Sequence, residues 1–144
     1  MKVLFKSIGM GLVCLVCSGG ASNQSDGTVR DGNGAQIGKI ERDGTVRNRS
    51  FSTIGKIESD GTVRNSSFSM VGKIESDGTV RDRSFSSVGK IESDGTVRNR
   101  SFSRIGTIEN DGTVRDGSNS RIGNAPGIKK EWVALFFFFS SFFE

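Results

Sequence analysis

The pentapeptide Asp-Gly-Thr-Val-Arg begins at Asp26, Asp43, Asp60, Asp77, Asp94 and Asp111, each seventeen residues after the last. A fixed period of this kind confines a chain to a repeat architecture, in which one small unit is copied and each copy leans on its neighbours. The unit reads Ile-Gly-Lys-Ile-Glu-Ser-Asp-Gly-Thr-Val-Arg-Asn-Ser-Ser-Phe-Ser-Met over residues 54–70.

Ser59-Asp60-Gly61 separates two short β-prone runs. Asp bonds its own backbone and Gly accepts positive φ, which is the chemistry of a tight turn. A two-residue loop would pair Ile57 with Arg64 and Glu58 with Val63, mixing apolar and polar side chains on each face. A three-residue loop with Gly61 in the left-handed position pairs Ile57 with Val63, Glu58 with Thr62 and Lys56 with Arg64. That register leaves one apolar and one polar face, so it is the one expected. Five complete hairpins follow (38–47, 55–64, 72–81, 89–98 and 106–115), with one unpaired half-unit before them and one after. Pairing of these halves would close a ring and remove exposed sheet edges. The alternative is a parallel β-solenoid with one coil per repeat, which would waste the Asp-Gly turn signal and leave end coils needing caps.

The expected core comprises the Val of each pentapeptide, the Ile or Val on either side of each Gly-Lys, and Phe51, Phe68, Phe85 and Phe102. Gly34 and Asn119 stand in the Phe position of the terminal units. A second glycine column, Gly38, Gly55, Gly72, Gly89, Gly106 and Gly123, follows Ile or Val each time. Gly within a strand marks a close backbone approach, and neighbouring units are expected to pack there. A single unit has too little core to fold alone.

Three segments are expected: a signal peptide at 1–21, the repeat domain at 22–123 and a Phe-rich tail at 124–144. Lys2 and Lys6 precede a short apolar run, and Ser18-Gly-Gly-Ala21 offers small residues for cleavage. The alternative is a lipoprotein acylated on Cys17. Both cysteines, Cys14 and Cys17, lie in this segment. Removing it takes two lysines and no acid, so the net charge falls from +4 to +2. With Arg interleaved among Asp and Glu and no basic block, nucleic acid is not an expected partner. In the tail, Trp132–Phe143 is apolar at ten of twelve positions, too short a run to cross a membrane as a helix. It is expected as a helix or strand packed over the centre of the repeats, near the Gly34 and Asn119 positions. The alternative is an anchor to a membrane or partner, with Lys129 and Lys130 at its edge.

His and Tyr do not occur, which removes most nucleophile–base pairs and transition-metal ligand sets. Carboxylates at a hairpin tip, such as Glu58 and Asp60, would be solvated. The seventeen-residue spacing does not match the nine-residue period of calcium-binding β-rolls. No enzyme activity, cofactor or metal is expected. Candidate binding residues are the repeated Arg47, Arg64, Arg81, Arg98 and Arg115, together with Trp132. The arginines share the polar face with Lys39, Lys56, Lys73 and Lys90 and with a Glu column, beside a column of Thr. That face is either a salt-bridged solvated surface or a multivalent site for a glycan or acidic polymer.

The secretory start, the tandem Ile-Gly-Lys-Ile-Glu-Ser-Asp-Gly-Thr-Val-Arg units, then Ile-Gly-Asn-Ala-Pro-Gly-Ile-Lys-Lys-Glu-Trp and a run of Phe resemble the five-fold β-flower family of small secreted bacterial proteins. The resemblance covers essentially the whole chain. It implies an all-β fold of hairpin petals about an axis with the apolar tail associated, and its name implies five petals, matching the five complete hairpins. Whether the half-units form a sixth petal or a seam stays open. It implies no activity. The expected function is a secreted, non-enzymatic structural or binding module of the cell envelope, its partner an envelope polymer, glycan or membrane surface. The alternative is a membrane-associated or self-assembling protein driven by the tail.

Overall fold

The computed structural model describes residues 27–144, so the expected signal segment and Cys17 lie outside the described residues. Twelve short strands come first: β1 (Thr28–Asp31), β2 (Gln36–Ile40), β3 (Thr45–Asn48), β4 (Thr53–Ile57), β5 (Thr62–Asn65), β6 (Met70–Ile74), β7 (Thr79–Asp82), β8 (Ser87–Ile91), β9 (Thr96–Asn99), β10 (Arg104–Ile108), β11 (Thr113–Asp116) and β12 (Arg121–Asn124). Helix α1 (Lys130–Phe138) and a 3-10 turn (Ser140–Phe143) follow. Each strand is antiparallel to the next, and β12 pairs with β1 through Gly123 opposite Asp31 and Asn124 opposite Arg30. The sheet is a closed barrel with no free edge, which excludes the parallel solenoid.

The hairpin register is the expected one, with Ile57 opposite Val63 and Lys56 opposite Arg64. In the same hairpin the Glu58 N–H donates to the Thr62 carbonyl at 2.8 Å and the Gly61 N–H to the Glu58 carbonyl at 2.9 Å. Five such hairpins lie within the chain, and the ends make the sixth. The Ala125 N–H donates to the Gly112 carbonyl as Ile57 does to Gly44, so Ala125 takes the place of a repeat isoleucine. The ring therefore has six petals, one more than the five implied by the resemblance, because two half-units complete one another.

The interior explains the tail. Val29, Val46, Val63, Val80, Val97 and Val114 have no exposed surface, and five repeat isoleucines line the same core. An eight-stranded barrel is just filled by its own side chains, whereas twelve strands leave a lumen that Val and Ile do not reach across. The tail fills it. Val133, Ala134 and Leu135 of α1 are fully buried in the same cluster. A nine-residue helix is about 13 Å long, close to the height of a four- or five-residue strand. From Trp132 onward it is apolar all round because the ring surrounds that part on every side, while Lys130 and exposed Glu131 stand at its entrance.

Each tail phenylalanine meets one petal. Phe136 lies on Gly38, Phe137 on Gly123, Phe138 on Gly106, Phe139 on Gly89, Phe142 on Gly72 and Phe143 on Gly55. One segment reaching all six petals must lie on the barrel axis. The rings march backwards around the barrel one petal at a time, with Ser140 and Ser141 exposed between the fourth and the fifth. A Cβ at Gly72 would stand 2.8 Å from Phe142 Cζ and 2.7 Å from the Arg81 carbonyl oxygen. The column is therefore glycine to admit a phenyl ring against a strand, and the expected packing between neighbouring units is replaced by packing on the tail. The tail does not cover the Gly34 position, where an added Cβ would meet nothing within 4 Å.

The four repeat phenylalanines, counted with the core from sequence, are outside it. Phe51, Phe68, Phe85 and Phe102 are 55%, 68%, 58% and 66% exposed. The chain already has six other phenyl rings for its lumen, and the loops carrying these four turn away from it.

Candidate functional site

The ring has two unlike ends. One carries the Asp-Gly corners. There the Asp43, Asp60, Asp77, Asp94 and Asp111 carboxylates each accept the backbone N–H of the threonine two residues on at 2.9 Å. That bond, and then the same threonine's hydroxyl, hold all five carboxyls below their ordinary value. A carboxyl whose pKa is lower folded than unfolded contributes stability above its unfolded pKa and loses it as pH falls through the folded one. The melting temperature should therefore be flat from neutrality to about pH 5 and should fall below about pH 4, in one window shared by five equivalent corners. Replacing the five aspartates with asparagine should flatten that fall; an unchanged profile would remove the corners as its cause.

Trp132 is also at this end, in a shallow groove of about 520 Å³ with Arg42, Asp43, Lys56, Glu58, Asp60 and Lys129. Lys129 Nζ sits 5.1 Å from the centre of the Trp132 ring. Both charge signs line this groove, so it selects no single ligand charge.

The candidate arginines hold the loops together. The Nε of Arg47, Arg64, Arg81, Arg98 and Arg115 donates to Glu41, Glu58, Glu75, Glu92 and Glu109 at 2.7–3.0 Å. Their Nη1 atoms donate to the carbonyls of Phe51, Phe68, Phe85, Phe102 and Asn119 at 3.0–3.2 Å. The ion pairs are half-solvated and contribute about 0–1 kcal/mol each. Each arginine thus ties a corner glutamate to the next loop, and Trp132 lies apart from those loop contacts. The tail, the alternative anchor, is the plug of the barrel.

The other end carries the loops that sequence reasoning placed in the core. They have the same form as the corners. The Asn48 N–H donates to the Ser52 carbonyl at 3.0 Å and the Phe51 N–H to the Asn48 carbonyl at 2.9 Å, matching Glu41, Thr45 and Gly44 at a corner. Gly44 and Phe51 thus hold equivalent positions in two loops of the same form, both in the left-handed region, at φ 92° and 66°. At the corner glycine is obligatory, because a Cβ would strike the Ile57 backbone. At the Phe loop space is open and only φ restricts the choice. Phe68, Phe85 and Phe102 lie at φ 64–66°, and the two remaining petals put Asn119 and Gly34 there at 70° and 85°. Gly and Asn are the ordinary residues for that conformation; a bulky side chain there is an outlier costing on the order of 1–3 kcal/mol.

The closed ring of hairpins fits a sequence comparison in which the family described as 5-fold beta-flower protein matches residues 25–141, although the ring has six petals. The chain belongs to the 5-fold β-flower family. No curated protein and no solved structure matches it. In this β-flower the Phe loops occupy four consecutive petals, an arc of the ring. Arg49, Arg83 and Arg100 stand two residues before Phe51, Phe85 and Phe102, exposed and without an ion pair or side-chain hydrogen bond among the described residues. Asp82, the one acid in these four loops, accepts the Ser84 and Ser86 N–H groups. The signal that could have found this end was the column itself: Phe four times, then Gly and Asn, the residues suited to positive φ.

Proposed function

We propose that this β-flower is a secreted, non-enzymatic binding module of the cell envelope that works through its Phe-loop end. The carrying observation is four exposed phenylalanines in left-handed backbone, at a loop position where two sister petals have Gly and Asn. Strain of this kind persists where another requirement overrides local stability. The fold does not need these rings, since the lumen is filled by the tail. The apolar start and small residues of 1–21 support secretion, and the lack of His and of Cys beyond that segment supports a role without chemistry.

The variant Phe51→Asn/Phe68→Asn/Phe85→Asn/Phe102→Asn separates function from folding. Relief of left-handed strain should raise stability by about 0.5–1 kcal/mol per site, seen as a higher melting temperature. The same variant should lose co-sedimentation with isolated envelope fractions, which the wild-type protein should show. Equal co-sedimentation of the two proteins, or turnover of a substrate by the wild type, would overturn the reading.

A further inference from the structure

Resting on that reading, we propose that the occupant of the Phe-loop end is an anionic lipid surface. Loops on neighbouring petals are two strands apart, about 10 Å, beyond the separation at which phenyl rings stack on one another. Each ring is therefore presented singly, at the tip of its own loop, as four separate apolar points on one arc. Interfacial binding grows with the apolar area entering the headgroup region and with the attraction of basic side chains to anionic lipid.

Charge gives the arc its sign. Arg49, Arg83 and Arg100 are exposed beside the phenylalanines, and Asp82 is the single acid of the four loops. At the opposite end five corners carry a Glu and an Asp, from Glu41 and Asp43 to Glu109 and Asp111. Each of those glutamates is paired with an arginine, and Lys56, Lys73 and Lys90 stand beside Asp43, Asp60 and Asp77, so that end carries both signs. An anionic surface attracts the Phe end, where three arginines unpaired among the described residues stand against one acid, and the ring stands upright on its four phenyl points. A second copy docked face to face would set arginine arc against arginine arc. Stacking on a sugar finds no support at this end, where the chain has no Tyr and the single Trp132 lies at the corners.

The test is sedimentation of the purified protein with phosphatidylcholine vesicles, and with vesicles that also contain phosphatidylglycerol. Binding to the anionic vesicles is expected, weakening as salt is raised. The fourfold Phe→Asn variant should bind on the order of ten-thousandfold more weakly, each ring contributing roughly tenfold. Replacing Arg49, Arg83 and Arg100 with Gln should cost roughly fivefold per arginine on anionic vesicles only. Absence of binding to anionic vesicles overturns the proposal, as does binding that either variant leaves unchanged. Loss of envelope co-sedimentation in the Phe variant without any vesicle binding would sink the lipid and leave the binding module standing. Vesicle-free dimerisation abolished by the Phe variant would assign the surface to a second copy instead.

Discussion

A chain ending at Gly127 should lose the fold. Removing the tail takes six phenyl rings, Val133 and Leu135 out of the lumen, and each such side chain contributes about 1.5–3 kcal/mol when fully buried. Even halved for the rings that stay partly exposed, the sum is comparable to the whole stability of a small domain, about 5–15 kcal/mol. The shell has no second way to recover it. Its inward glycines, shaped to receive phenyl rings, would face water, and the closure between β12 and β1 would have nothing inside to hold its curvature. The measurement is a thermal melt followed by far-ultraviolet circular dichroism. The full chain should melt cooperatively, whereas the truncated chain should show little strand signal and no transition. A truncated chain that melts cooperatively at the full chain's temperature would mean that the ring is self-supporting.

The second large effect is expected where Phe139 meets Gly89. Phe139 is the most buried ring of the tail, at 9% exposure, so Phe139→Ala should cost about 3–5 kcal/mol in chemical denaturation. Gly89→Ala should cost about 1–3 kcal/mol for a different reason. Its Cβ would lie 2.5 Å from Phe139 Cζ and 2.7 Å from the Arg98 carbonyl oxygen. The double variant should therefore be less damaged than the two single effects added, because removal of the ring frees the space the methyl needs. It should still be less stable than Phe139→Ala alone, since the carbonyl remains. Strict additivity would show that ring and glycine do not share this space.

Both expectations turn on the tail, and the tail was the part of the fold least legible in the sequence. Its burial over the repeats could be read from twelve residues with almost nothing polar. Its matching to the glycine column could not, although six glycines and six tail phenylalanines after Leu135 stand in plain view. Neither segment points to the other by spacing, because the matching is made about an axis that exists only when the barrel is closed. The repeat phenylalanines failed in the opposite direction. Counting Phe51 and its copies as core followed their hydrophobicity, and loop direction outweighed it. The arginine column was legible as a charged face, but its bonds to the Phe-loop carbonyls depend on where those loops lie in space.

The seventeen-residue unit, the three-residue corner, the pairing of Ile57 with Val63 and the complementary half-units could all be read from the residues in order. Each of these follows from hydrogen bonds and side-chain alternation within a few residues, and such local chemistry is written in order along the chain. The closed barrel alone settles that the petals number six, that the tail stands on the axis with a ring for every petal, and that four phenylalanines face outward. Those facts are set by the width of a lumen enclosed by twelve strands, and width is a property of the closed ring that no single repeat possesses.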